Sequence, residues 1–451
     1  MDLLKDHREL DIIIEGGTLL TMSDSMDIID DPIIGIKNGK IEFIEHRQHY
    51  DIDSCIAHTI LNASGSVIMP GLINTHTHLP MVCFRGLADD LPLMEWLNNH
   101  IFPAEARFVN RDMVYAGSLL AIAEMILSGT TTFCDAYFYE SSVARAAIDA
   151  GMRAVVSQGF IDLPSQQNNP AKIADIAERF INKWQTHSPL ITPSLACHSP
   201  YACSRETLVQ AKESARKAHI PFNIHVAETK EEITIMRERF GKTPVQYLRD
   251  IDLFDSSTIA VHCNWLEEDD MDILHNNSVK VSHNPESNMK LAAGCAPVPA
   301  MIQRGIDVGL GTDGCASNND LDMLREMSTA AKLHKVIQMN PTVMDAKTVL
   351  KMTTRNGAKV LGLEDHIGSI EAGKNADIII VDMKKPHLTP VYNYYSHLVY
   401  SASGSDVVTS IIGGKIIMQD RKLLHLDLPA IMHEVNAIAH AIADNYTISG
   451  G

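Results

Sequence analysis

His76 and His78 stand two residues apart at the end of an apolar run, Val67-Ile68-Met69-Pro70-Gly71-Leu72-Ile73-Asn74. On an extended strand alternate residues share a face, so the two imidazoles project together. Further along, His225 precedes Glu228 by three residues, and Asp313 lies in Gly311-Thr312-Asp313-Gly314, where flanking glycines let the backbone approach closely. Paired nitrogen donors, a third histidine and a carboxylate make up the ligand set of a catalytic divalent ion, which lowers the pKa of bound water to about 7. The chain is therefore expected to activate water, with His76, His78, His225 and Asp313 as ligands. Glu228 can accept a proton from that water and pass it to a ring nitrogen, the acid/base work that deamination requires. Asp313 can also take the nucleophile's proton. His262 closes the otherwise apolar Thr258-Ile259-Ala260-Val261 and reads as a fifth ligand or, preferably, as the group that orients the nucleophile.

These side chains need a scaffold that brings distant segments together. Short apolar stretches alternate with longer helical ones through the middle of the chain, the rhythm of parallel βαβ units. Strands are expected at Leu72 to His78, Thr131 to Asp135, Arg153 to Ser157, Ile191 to Cys197, Phe222 to Val226, Thr258 to His262, Val279 to Ser282 and Asp307 to Gly311. Helices between them have readable starts, such as Asn110 before Arg111 and Thr243-Pro244. Eight such units point to an α/β fold, a (β/α)₈ TIM barrel, in which functional residues sit at the C-terminal ends of the strands. His78, His198, His225, His262, His283 and Asp313 all fall there.

The ends of the chain have a different texture. Asp11 to Leu20 and Pro32 to Ile44 are β-rich, with a hairpin signal at Lys37-Asn38-Gly39-Lys40, and similar strands return at Asn375 to Asp382 and Ser410 to Met418 around Gly413-Gly414. The simplest assembly is a small β-sandwich domain built from both termini (1–66 and 371–451) with the barrel (67–370) between them. Pro429 to Asn445 reads as a terminal amphipathic helix.

Composition narrows the partners. With 451 residues and 45% hydrophobic content the chain can bury a large core, and a formal charge of −18 argues against nucleic acid or an anionic membrane. A small neutral or cationic substrate fits better. The charged N-terminus, Met1 to Glu9, and the lack of a long apolar segment suggest a soluble cytoplasmic protein. Eight cysteines are scattered without a CxxC pair, so reduced and mostly buried thiols are expected. Cys197, Cys263 and Cys315 read as small apolar filler at strand ends.

The stretches PGLINTHTH, HVAET, VHCNW, SHNPESNMKLAAG, GLGTDG and GSIEAGKNAD resemble the metal-dependent amidohydrolase superfamily, in its branch of nucleobase deaminases and triazine hydrolases. FRGLADDLPLMEWL, CHSPYACS and GTDGCASNNDLDML are closer still to the 5-methylthioadenosine/S-adenosylhomocysteine deaminase family. That resemblance implies one Zn²⁺ per chain, or another divalent ion such as Fe²⁺ or Mn²⁺, and a small-molecule nucleoside substrate. It implies attack of the activated water on C6 of an adenine ring, with Glu228 protonating a ring nitrogen, His262 and Asp313 assisting, and an inosine analogue and ammonia as products. It further implies that Glu105 binds the ribose hydroxyls, that His198 contacts the nucleoside, and that the chain forms a homo-oligomer. Trp96 either packs on the purine or the 5′ substituent or belongs to the core. His283 is expected to line the pocket.

One departure bears on the substrate. Family members that take S-adenosylhomocysteine are expected to hold its amino-acid tail with an arginine near the end of strand three, where this chain reads Ser157-Gln158-Gly159-Phe160-Ile161-Asp162-Leu163. A tail carboxylate would lack a bidentate partner there, which favours methylthioadenosine or adenosine. Two other readings compete: a deaminase or chlorohydrolase of another purine, pterin, pyrimidine or triazine ring, and a scaffold that has lost its chemistry. Glu228 favours deamination over dehalogenation, Glu105 favours a ribose over a bare base, and the filled ligand positions oppose the inert scaffold.

Overall fold

The computed structural model describes residues 8–50, 55–162 and 170–445. The charged run at 1–7 and Leu163 lie outside them. The barrel strands are β1 (Leu72–Thr77), β2 (Thr130–Tyr137), β3 (Arg153–Phe160), β4 (Ile191–Cys197), β5 (Phe222–Val226), β6 (Thr258–His262), β7 (Lys280–His283) and β8 (Val308–Leu310). They follow one another in chain order as a single eight-stranded parallel sheet that nearly closes on itself. The seam between β8 and β1 is joined just past β8: the Asp313 N–H donates to the His76 carbonyl (3.0 Å) and Asn74 Nδ2 donates to Thr312 Oγ1 (2.7 Å). β2 and β3 run past their expected ends and carry Tyr137 and Phe160 up to the mouth of the barrel.

The helices start where the sequence marks them. Asn110 Oδ1 accepts from the Asp112 and Met113 N–H groups at the head of Arg111–Leu127, and Thr243 with Gln246 forms a capping box before Pro244–Asp250. Among the described residues no helix is long and apolar enough to cross a membrane. None of the eight cysteines is in a disulfide, and Cys197, Cys263 and Cys315 are buried, as filler should be.

Both ends of the chain do build one β structure. A seven-stranded sheet contains Thr18–Leu20, Ile28–Asp30 and Ser66–Pro70 together with Ile378–Asp382, Val407–Ile412, Lys415–Gln419 and Lys422–Leu423. A four-stranded sheet comprises Arg8–Glu15, Pro32–Lys37, Lys40–His46 and Cys55–Asn62. Ile14, Ile34 and Ile36 from the smaller sheet and Leu19, Ile68, Ile378 and Ile380 from the larger share one apolar layer, so the sheets face each other as a sandwich. Asn38 and Gly39 both have positive φ (51° and 79°), the type I′ turn that their sequence specifies.

A buried ion pair ties this sheet to the barrel. Arg153, at the start of β3, donates from Nε and Nη2 to the two oxygens of Asp377 (2.6 and 3.1 Å). Removing one partner strands the other's charge without solvent. Arg153→Met is expected to lower unfolding stability by about 3–5 kcal/mol, measurable by chemical denaturation. A change below about 1 kcal/mol, the range of an exposed pair, would contradict this role.

Candidate active site

The strand ends gather four donor atoms at one point. His76 Nε2 lies 3.3 Å from His225 Nε2 and 3.5 Å from Asp313 Oδ1, and His78 Nε2 lies 3.3 Å from the same Asp313 oxygen. Ligands held about 2.0–2.1 Å from a tetrahedral ion are separated by about 3.3 Å, so these spacings fit a divalent cation. The second ring nitrogens support this. His78 Nδ1 donates to the Ala136 carbonyl (2.6 Å) and His225 Nδ1 to the His198 carbonyl (2.7 Å), which leaves each Nε2 lone pair free to coordinate. Burial and the neighbouring His262 and His78 push His225 down to about 4, so it is neutral, as a ligand must be. Asp313 Oδ2 accepts from Ser287 Oγ (2.7 Å) and Ser317 Oγ (3.1 Å), bonds that favour the carboxylate and aim Oδ1 at the histidines.

Glu228 and His262 border this cluster, with Glu228 Oε1 3.9 Å from His262 Nε2. Burial raises the Glu228 carboxyl to about 7, against the opposing pull of His225. Ala227, His262 and Asp313 have φ of 53°, 70° and 62°, strained values for residues with a side chain, at the ends of β5, β6 and β8. Each strained turn presents a site side chain, or the backbone beside one, at the barrel mouth.

A cavity of about 910 Å³, mouth included, opens above the cluster and is walled by Trp96, Phe102, Tyr137, Phe138, Phe160 and Leu291. Glu105 and His198 also line it. A short π-helical turn, Trp96–Ile101, leads into the helix Phe102–Phe108 and turns Trp96, Ile101, Phe102 and Glu105 inward together. Tyr137 Oη donates to Glu105 Oε1 (2.6 Å), and burial raises that carboxyl to about 7. Among the described residues no lysine or arginine lines the cavity. His283 does not line it either. Ser282 Oγ bonds Thr75 Oγ1 inside the barrel (2.6 Å), so strand alternation turns His283 outward, where its Nε2 meets His334 Nε2 at 3.1 Å.

Residues 67–417 match the Amidohydrolase family. The chain belongs to that family. It is 46% identical over 433 residues to the 5-methylthioadenosine/S-adenosylhomocysteine deaminase of Syntrophobacter fumaroxidans, covering 96% of this chain and 98% of the relative. It is 48% identical, with the same coverage, to the 5′-deoxyadenosine deaminase of Methanosarcina mazei. Among solved structures, an adenosine deaminase from Xanthomonas campestris with bound zinc superposes with a TM-score of 0.91 at 33% identity, over 97% of this chain and 100% of that one.

Several residues of this amidohydrolase site escaped the sequence reading. Tyr137 holds Glu105, Ser287 and Ser317 hold Asp313, and Asn288 Oδ1 lies 2.9 Å from His262 Nδ1. Glu232 accepts from the Ala227 (3.1 Å) and Glu228 (2.9 Å) N–H groups and so fixes the turn that carries the acid/base candidate. Thr229-Lys230-Glu231-Glu232 has the capping-box spacing that could have flagged it, and Thr229 Oγ1 does accept from the Glu232 N–H. The carboxylate departs from the usual box by reaching past the cap into the loop.

Proposed function

We propose that this amidohydrolase is a hydrolytic deaminase of adenine nucleosides carrying an uncharged 5′ group, such as 5′-deoxyadenosine, methylthioadenosine or adenosine. The observation that carries the reading is the placement of Glu228, its side chain 14% exposed and outside the donor cluster, between four converging donor atoms and an aromatic cavity that no lysine or arginine among the described residues lines. The names of the relatives at 46 and 48% identity support deamination of a 5′-modified adenosine, and since the first also names S-adenosylhomocysteine, the preference for an uncharged 5′ group rests on the cavity alone.

His76, His78, His225 and Asp313 would hold the ion, and zinc suits three imidazoles and one carboxylate. When bound, the cation supplies Lewis acidity that makes water nucleophilic at neutral pH. The chain's own residues do the rest. The aromatic walls bind the purine faces, and Glu105, held by Tyr137, is placed to accept hydrogen bonds from ribose hydroxyls. Glu228 takes a proton from the attacking water and delivers it to the adjacent ring nitrogen. His262 orients the same water, and His198, whose ring centroid lies 5.2 Å from that of His225, contacts the nucleoside from the end of β4. One water adds its oxygen to C6, the C6–N bond breaks, and the amino group leaves as ammonia with one of the water's two protons, while the other stays on the ring nitrogen of the inosine analogue.

With no lysine or arginine among the described residues that line the cavity, a tail carboxylate is left without a cationic partner. A hydrogen bond to a charged group is worth about 1.5–3 kcal/mol. S-Adenosylhomocysteine should therefore show kcat/KM about 10- to 100-fold below that of methylthioadenosine. Ammonia release from 5′-deoxyadenosine, methylthioadenosine, adenosine and S-adenosylhomocysteine tests both levels of the reading. Silence with all four would remove the deaminase assignment, and a preference for S-adenosylhomocysteine would remove the specificity alone.

A further inference from the structure

Two buried amides connect the backbone of Glu228 to the ring of His262. Asn264 Nδ2 lies 3.0 Å from the Glu228 carbonyl oxygen, Asn288 Nδ2 lies 2.8 Å from Asn264 Oδ1, and His262 Nδ1 lies 2.9 Å from Asn288 Oδ1. Asn264, Asn288 and His262 are all buried, so water does not compete for these bonds.

The direction of the chain is set at its first link. A backbone carbonyl can only accept a hydrogen bond, so Asn264 must turn its NH₂ toward Glu228 and its oxygen toward Asn288. Asn288 then donates to that oxygen and presents its own oxygen to the imidazole. An amide oxygen at 2.9 Å from Nδ1 requires a proton on Nδ1. Reversing the order would set Asn264 Oδ1 against the Glu228 carbonyl, two acceptors 3.0 Å apart in a site without solvent. One contact competes: Asn284 Nδ2, also a donor, lies 3.4 Å from His262 Nδ1, while Asn284 Oδ1 receives Ser282 Oγ at 3.3 Å. Both are longer than the three relay bonds, so the relay prevails.

We infer that Asn264 and Asn288 are positioning residues that fix His262 as its Nδ1–H tautomer, so that a bare Nε2 lone pair faces the reaction centre. Nε2 then accepts from an O–H group and cannot donate to one. Beside Glu228 Oε1, 3.9 Å away, it forms a pair of acceptors suited to the two O–H bonds of a single water. The relay also ties the loops after β5, β6 and β7, so the two acceptors keep their separation. The consequence for catalysis rests on the deaminase reading, whereas the tautomer itself does not.

¹⁵N NMR of the full chain labelled at histidine reads the tautomer directly, in metal-free and zinc-loaded protein above neutral pH, with His262→Gln to assign the resonance. The wild type is expected to show a protonated Nδ1 and an unprotonated Nε2 at His262. Asn288→Leu removes the acceptor, so the Nε2–H form should appear and kcat for the preferred nucleoside should fall about 10- to 100-fold, with KM within about twofold. A wild-type His262 protonated at Nε2, or an Asn288→Leu protein that keeps the Nδ1–H pattern, overturns the relay. A wild type that shows Nδ1–H but releases no ammonia overturns the nucleoside reading and leaves the relay standing.

Discussion

Glu228→Gln is expected to lower kcat for ammonia release by about a thousandfold, within the range of a positioned general acid/base, while the purified variant keeps its metal. Glutamine matches the side chain in shape but can neither take nor deliver a proton. The turn around it should persist, because Glu232 grips the Ala227 and Glu228 N–H groups rather than the Glu228 side chain. The wild type should also lose activity toward acid. Burial raises Glu228 to about 7, and a bound cation can only favour the carboxylate and lower that value. The form that accepts the water proton is the ionised one, so kcat/KM should fall as pH drops through a value at or below about 7. The glutamine variant's residual rate should lack that limb. Metal analysis beside an ammonia assay across pH checks both points; a variant with full activity would remove Glu228 from the chemistry.

Asp313→Ala should abolish metal binding and catalysis together. It deletes the anionic donor, whose Oδ1 lies 3.5 Å from His76 Nε2 and 3.3 Å from His78 Nε2, and it leaves three imidazoles to hold a dication. Loss of Lewis-acid stabilisation worth several kcal/mol corresponds to a fall in kcat of at least about a thousandfold. Wild-type protein treated with a chelator should lose activity to a similar extent and recover with added Zn²⁺, Fe²⁺ or Mn²⁺; the ion that restores the highest rate at the lowest concentration identifies the preferred metal. Metal content near one ion per chain in the wild type and near zero in the variant is the expected result. A metal-free protein that still deaminates would refute the ligand assignment.

Much of this site could be read from local pattern. His76 and His78 share a face because strand periodicity is two, and the βα rhythm places His225, His262 and Asp313 at the same, C-terminal end of one barrel. His283 shows how far such reading reaches. It sits one residue beyond Ser282, which faces the barrel interior, and a step of one residue along a strand reverses the direction of the side chain. Glu105 and His198 were legible only through resemblance, since a glutamate on a short helix and a histidine after a strand have no periodicity that marks them. Glu232, Asn264 and Asn288 were passed over because a polar side chain acquires its role from whichever loop it meets.

The order of the donor residues, the alternating strands and helices, the β texture at both ends and the lack of a basic residue near the end of strand three are written along the chain. They depend on bonded neighbours and on the repeat of each element. Other properties arise only when the barrel closes: the 3.3–3.5 Å spacing of the four donors, the outward turn of His283, and the amide relay that orients His262. The raised Glu228 carboxyl belongs with them, since burial is a property of everything packed around a group. Residue type and period are local, whereas distance, solvent exclusion and hydrogen-bond direction are set jointly by segments more than two hundred residues apart, as between His76 and Asp313.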